Sequence, residues 1–242
     1  MTQANCTMPL TSEAVNFIDS VLRLRPRVAV FDCDGTLWAG DSGEQFMHWE
    51  IQRQVVPPSV AEWITQRYRD YKAGQVSEEA ICGEMVTIHE GLEEALLQRE
   101  AEEFIAAKFA HAIFPDMREL VAQLHQSGCE VWAVSSTNDW VVAAGCRYFD
   151  IPANRVVAAC VHCSQGKASG RLVRVPTDED KAVAIREVIG VSVDAVFGNS
   201  MHDAAMLAIA QHAFAVNPNP DLQTLAQEQG WNVYFPMGST AR

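Results

Sequence analysis

In Val28-Ala-Val-Phe-Asp32-Cys-Asp34-Gly-Thr-Leu37, four apolar residues run straight into two carboxylates and a glycine. A short, wholly apolar run of this kind predicts a strand covered on both faces, as in a parallel sheet. Alternation places Asp32 and Asp34 on one side if the strand continues, and a turn after Asp34 leaves backbone groups free to meet a ligand. Two converging anions need a cation. A hard divalent ion such as Mg2+ supplies it through oxygen ligands and leaves one carboxylate free to attack an electrophile such as phosphorus. A strand ending in an ordinary Asp-Gly turn is the alternative reading of the same letters.

Outward from this segment, strands and helices alternate. Leu10 to Leu24 has apolar residues at helical spacing, and Val28 to Asp32 is the first strand. From Gly40 to about His111 the pattern is helical, with Pro57-Pro58, Gly74, Gly83 and Gly91 as breaks and no alternating run. Pro115 to Ser127 reads as a helix stopped by Gly128, Glu130 to Val134 as a strand ending at Ser135-Ser136-Thr137, and Asn138 to Gly145 as a short helix. Residues 156–160 and 170–175 are expected to form a hairpin through the polar turn at 164–169. Helices over 178–189, 203–210 and 221–229 then alternate with strands over 193–197, 213–216 and 232–235. The pattern predicts an α/β fold: a Rossmann-like three-layer core with a mostly parallel sheet, made by residues 1–39 and 112–242, plus a small helical cap inserted as residues 40–111. Ligands bind such sheets beyond the carboxyl ends of the strands, where Asp32, Ser135 and Asn199 all fall.

The string Asp32-Cys-Asp-Gly-Thr-Leu37 resembles the nucleophile motif of the haloacid dehalogenase-like hydrolases. Three later segments stand in that superfamily's order: Val131-Trp-Ala-Val-Ser135, Lys181 at a helix start, and Phe197-Gly-Asn-Ser-Met-His-Asp203. The resemblance spans about Val28 to Phe235 and is greatest to the phosphoserine phosphatase-like branch with a helical cap. It implies Mg2+-dependent hydrolysis of a phosphomonoester through an aspartyl-phosphate. Asp32 is then the nucleophile, and Asp34 the acid that protonates the leaving alcohol and afterwards the base that takes a proton from water. Ser135 binds a phosphoryl oxygen and Lys181 neutralises the aspartyl-phosphate. The implied metal set is Asp32, the backbone carbonyl of Asp34, Asn199 and Asp203. Asn199 departs from the Asp that the family commonly shows there. An amide oxygen still coordinates Mg2+ but adds no charge, so affinity is expected to fall unless Asp203 moves closer or contributes through water.

Several residues carry a second reading. Ser136 and Thr137 compete with Ser135, and Thr137 suits the cap of the next helix. Lys181 has Asp178 and Glu179 as alternative partners. Asp41 and Glu44 are expected to bind an amine or ammonium group of the substrate, or else to cap and open the first inserted helix. Trp38 and Trp49 offer a cation-π face or plain packing. Arg67, Arg69 and Lys72 read best as a solvated basic helix face, and His202 is given no role. Dehalogenation needs no Mg2+ and phosphonate cleavage needs a cap lysine better placed than Lys72, so both fit less well. Outside catalysis, the alternative is a weak or inactive protein that binds a phosphorylated metabolite.

Composition sets the outer limits. At 242 residues, with 18 basic and 31 acidic side chains giving a formal charge of -13, the chain argues against nonspecific nucleic-acid or anionic-membrane binding; a small phosphorylated metabolite is the expected partner. The seven scattered cysteines fit a reduced, cytoplasmic protein. Cys160-Val-His-Cys163 has a metal-like spacing but no second pair to complete a zinc site. No secretory signal or membrane span is evident from Met1 to Pro9 or beyond.

Overall fold

The computed structural model of the chain describes residues 9–190 and 192–239, so the readings placed on Cys6 and on the first eight residues lie outside it. Val28-Ala-Val-Phe31 is strand β1, and all four residues are buried. It pairs on both sides: with β2 (Glu130–Asn138) and with β5 (Ala195–Gly198), both parallel. Beyond them lie β3 (Val156–Ser164), β4 (Lys167–Arg174), β6 (His212–Val216) and β7 (Asn232–Tyr234), in the order β4-β3-β2-β1-β5-β6-β7. Only the β3–β4 pair is antiparallel, which realises the expected hairpin.

Alternate strand residues point to opposite faces. Ala29 and Phe31 enter one layer with Val131, Ala133 and Phe197, while Val28 and Val30 enter the other with Val134 and Val196. Helices α1 (Ser12–Arg23), α6 (Pro115–Gln126) and α7 (Asp139–Cys146) cover the first layer; α8 (Glu179–Ala184), α9 (Ala204–Ala208) and α10 (Pro220–Gln229) cover the second. Phe31, Phe197 and Phe214 are register neighbours and stack at 4.2 and 4.7 Å between centroids. Each such pair adds about 0.5–1.5 kcal/mol beyond burial, so the strand that ends in Asp32 is stiffly held.

Between β1 and α6 run α2 (Ser42–Gln52), α3 (Pro58–Lys72), α4 (Glu78–Thr87) and α5 (Glu94–Phe104), the last passing into a π-helical turn over Ile105–Phe109. Asp41 and Ser77 cap α2 and α4 by accepting the N–H of Glu44 and Ala80, and Pro58 opens α3. These helices bury a cluster of their own, including Met47, Ile64, Tyr68 and Ile81. Phe46, Leu97 and Phe104 instead join the main core around Trp38, Phe114 and Trp140. The hairpin adds a backbone seam, with Gly91 N–H on Ala168 O (2.8 Å), Ala168 N–H on Leu92 O (3.0 Å) and Glu94 N–H on Gly166 O (2.8 Å). Among the described residues no helix is long and apolar enough to cross a membrane.

Three local expectations need correction. β2 runs on to Asn138, whose Oδ1 accepts the Val141 N–H at 3.0 Å, so Asn138 and not Thr137 caps α7. The helix expected over 178–189 is α-helical only to Ala184 and π-helical over Ile185–Ile189. The helix expected from Asp203 begins as a 3-10 turn over Met201–Asp203, because Ser200 and Asp203 cap each other there.

Candidate active site

Asp32 follows β1 directly and is buried. Its backbone N–H extends the ladder to Phe197 O at 2.9 Å, so the side chain leaves the sheet from a fixed position. Lys181, from the first turn of α8, donates to Asp32 Oδ1 at 2.8 Å and to Asp203 Oδ1 at 2.6 Å, and all three side chains are nearly closed to solvent. Burial works against the Lys181 charge, but the two carboxylates outweigh it and hold its pKa above the usual value. Burial and the repulsion of Asp203 push Asp32 up to about 7, with Lys181 pulling the other way. Asp203 Oδ2 accepts the backbone N–H groups of Asn199 (2.8 Å) and Ser200 (3.0 Å). Asp203 thus meets protein donors on both oxygens and is not among the residues that line the cavity, so the structure gives no support to the direct metal ligation expected from the sequence.

Asp34 is gripped from three sides. Trp38 Nε1–H and Ser42 N–H donate to Oδ1 at 2.6 and 2.8 Å, while the hydroxyls of Ser42 and Thr137 donate to Oδ2 at 3.0 and 2.9 Å. Burial raises the Asp34 pKa and these donors oppose the rise. Gly35 follows at φ 80, and a Cβ there would stand 1.9 Å from Asn199 Nδ2, so only glycine lets the β5 loop close over the Asp34 turn. Ser135 is buried in β2, and its Oγ accepts the Thr137 N–H at 3.2 Å. Among the described residues no protein donor bonds the Asp34 carbonyl oxygen. No cluster of three His, Cys, Asp or Glu side chains is arranged for a metal among them either. A set made of one carboxylate (Asp32), one amide (Asn199) and one peptide carbonyl (Asp34) is a different kind of site, and its all-oxygen chemistry suits a hard ion such as Mg2+.

These groups open on one cavity of about 600 Å³. Asp32, Asp34, Ser135, Lys181 and Asn199 line it from the core; Asp41, Glu44, Tyr68, Tyr71, Lys72 and Glu78 line it from the inserted helices. The opposing wall brings Asp41 and Glu44 to the site as expected, although Asp41 Oδ1 also caps α2 at 2.8 Å. Asp41 is open to the cavity on one side and walled by protein on the others; that enclosure, with Asp34 nearby, pushes it up to about 6. Other expectations land elsewhere. Trp38 is buried with its N–H on Asp34, and Trp49 bonds Glu100 beneath Arg53, so neither offers a free face. Arg67 makes a two-pronged ion pair with Glu84. His202 joins Glu78 of α4 (2.8 Å) to Asp178 before α8 (2.7 Å), and these carboxylates raise its pKa to about 9. The sequence reading missed that bridge, the tyrosines and the Asn217–Pro220 loop. The loop alone had a usable signal, since it follows the carboxyl end of β6.

The model of the haloacid dehalogenase-like hydrolases matches residues 29–208. The chain is 26% identical over 216 residues to the histidinol-phosphatase of Neisseria meningitidis serogroup C (strain 8013), covering 85% of this chain and 97% of that one. It is 27% identical over 217 residues to phosphoserine phosphatase SerB1 of Mycobacterium tuberculosis (strain ATCC 25618 / H37Rv), covering 85% and 69%. The solved phosphoserine phosphohydrolase-like protein of Francisella tularensis subsp. tularensis SCHU S4 has the same fold, with a TM-score of 0.61 at 17% identity over 86% of this chain and 94% of that one. The chain belongs to the haloacid dehalogenase-like hydrolases and is similar to phosphatases among them.

Proposed function

We propose that the chain hydrolyses a small phosphomonoester, with an amine or ammonium group on the leaving alcohol, through an aspartyl-phosphate on Asp32, with Mg2+ as cofactor and α2–α5 as a cap over the site. The observation that carries the reading is the Asp32–Lys181–Asp203 chain of charge beside a separately held Asp34. Asp32 attacks phosphorus, forming its Oδ–P bond as the P–O bond to the alcohol breaks. Lys181 stays beside the new acyl phosphate, and Asp203 keeps it there as a positioning residue. Ser135 Oγ already accepts a backbone N–H, so its own proton is free for a phosphoryl oxygen.

Asp34 supplies the proton that the departing alkoxide takes. Oδ1 faces two N–H donors that cannot reverse, whereas Oδ2 faces two hydroxyls that can turn to accept, so the proton is carried on Oδ2. In the second half water attacks phosphorus, Oδ2 takes its proton, the bond to Asp32 breaks and inorganic phosphate leaves. Asp32, Asn199 and the Asp34 carbonyl would hold Mg2+, which when bound neutralises phosphoryl charge. Asp41 and Glu44 support the amine, because carboxylates crowded into a cavity wall are relieved by a cation. Phosphate release from a panel of small phosphomonoesters, with and without Mg2+, tests the reading. Binding of the panel with no release by freshly folded protein would leave only the binding-protein alternative.

A further inference from the structure

Tyr68 of α3 is 8% exposed and lines the cavity, and its hydroxyl, itself closed to solvent, has no partner in full hydrogen-bond geometry among the described residues. Burial, the charge of Asp41 and the Glu44 carboxylate, which lies near the hydroxyl as a weak acceptor, raise the phenol's pKa, yet neither carboxylate comes within full hydrogen-bond geometry of it. Tyr71, one turn on, shows the satisfied state: its hydroxyl donates to Glu78 at 2.9 Å. A buried hydroxyl without a full partner is costly, and one closed off beside a cavity is explained if a ligand that displaces its neighbours supplies the partner. A cation already rests at this spot. Lys72 Nζ lies 5.0 and 5.6 Å from the ring centroids of Tyr68 and Tyr71 and 3.9 Å from Glu44 Oε2. Its side chain is 56% exposed and has no closer ion pair among the described residues, so little holds it in place.

We propose that this wall is a subsite for a primary ammonium group on the leaving alcohol, with the Tyr68 hydroxyl as its specificity-determining contact and the Lys72 ammonium as a stand-in that the substrate displaces. The inference rests on the phosphatase reading above. A primary ammonium has three N–H donors, enough for the Tyr68 oxygen and for the Asp41 and Glu44 carboxylates together. As it donates to the phenol oxygen, the phenol proton turns to a carboxylate. A trimethylammonium group has the charge but no N–H, and an alkyl group has neither.

The test compares ω-aminoalkyl phosphates of two to four carbons with n-alkyl phosphates in which methyl replaces ammonium, by phosphate release at saturating Mg2+. In the wild type kcat/KM favours the amine at the best chain length. Tyr68→Phe, which keeps the ring, lowers that preference about tenfold, the scale of one hydrogen bond to a charged group. Lys72→Met raises it severalfold through a lower KM. An unchanged preference in Tyr68→Phe overturns the hydroxyl contact, and a preference that is unchanged or falls in Lys72→Met overturns the stand-in. Should Tyr68→Phe not fold, the wild type decides: equal kcat/KM for amino and trimethylammonio phosphates overturns the contact. If the wild type releases phosphate from no ester, the phosphatase reading itself fails; if it turns over the series without these preferences, only this inference does.

Discussion

The floor of the cavity and its far wall satisfy their polar groups in opposite ways. On the floor, Asp32, Asp34 and Asp203 have both carboxylate oxygens bonded within the protein, and Lys181 bridges two of them. On the wall, Tyr71 and Glu78 are bonded, but the Tyr68 hydroxyl has no partner in full hydrogen-bond geometry among the described residues and Lys72 touches its neighbours loosely. The floor is therefore set before any substrate arrives, as a reaction centre that must not reorganise requires. On the proposed reading the wall is left for the substrate to complete, which would put selectivity there.

The largest effects should come from breaking the floor. Asp32→Asn keeps the side-chain volume and its place beside Lys181 but loses the attacking oxygen. Phosphate release is expected to fall to background while the thermal transition stays cooperative; wild-type-like turnover by pure variant, too fast for deamidation, would remove Asp32 as nucleophile. Lys181→Met leaves Asp32 and Asp203 buried without their shared cation, which costs about 3–5 kcal/mol in comparable buried pairs. Denaturant unfolding should show a loss on that scale. A loss below about 1 kcal/mol would mean that the wild-type pairing contributes no more than an exposed ion pair does.

The same contrast explains what was legible in the sequence. Asp32, Asp34 and Asn199 sit just past a strand and Lys181 at a helix start, Ser135 lies within the last residues of β2, and all five line one cavity, because local pattern fixes such positions. The layered sheet was legible for the same reason, since alternation within β1 already divides Ala29 and Phe31 from Val28 and Val30. Tyr68 and Tyr71 were not legible as cavity residues, because helical spacing shows that a residue faces inward but not what faces it across a tertiary contact. Thr137 was misread because Asn138, one residue on, serves as the cap equally well; only the approach of β2 to Asp34 decides between them.

A smaller effect probes the weakest part of the floor, its single formal charge toward a metal. If Asn199 is a ligand, Asn199→Asp should lower the Mg2+ concentration for half-maximal activity and Asn199→Ala should raise it. The rise in melting temperature with Mg2+ should move the same way, since an ion that binds the folded state at 100 times its Kd adds about 2.7 kcal/mol. Identical Mg2+ midpoints in all three proteins, by both readouts, would place Asn199 outside the metal shell.

The smallest expected effect concerns a second buried charge pair, far from the floor in its partners but like it in construction. His89 of the α4–α5 connection is fully buried, with Nε2 2.7 Å from Glu50 Oε1 and Nδ1 2.9 Å from Val86 O. Both ring nitrogens face acceptors, so the imidazole is held as the cation. Burial opposes that charge, but Glu50 outweighs it and raises the His89 pKa; burial raises Glu50 as well. The two signs agree. A folded His89 that binds its proton more tightly than the unfolded chain adds stability that is fully present below about pH 6.5 and is lost as pH rises through the folded value. Glu50, also raised, adds to the same downward slope from about pH 4.5 upward. Because Asp32 contributes a slope of its own up to about 7, the comparison must be with a variant and not with a curve alone. The double variant Glu50→Gln, His89→Gln should lose less stability between pH 6.5 and 9 than the wild type does, measured by denaturant unfolding at each pH. Parallel curves would mean that the pair is neutral in the fold, and the likeness between the insertion's buried pair and the charged floor would then be one of geometry alone.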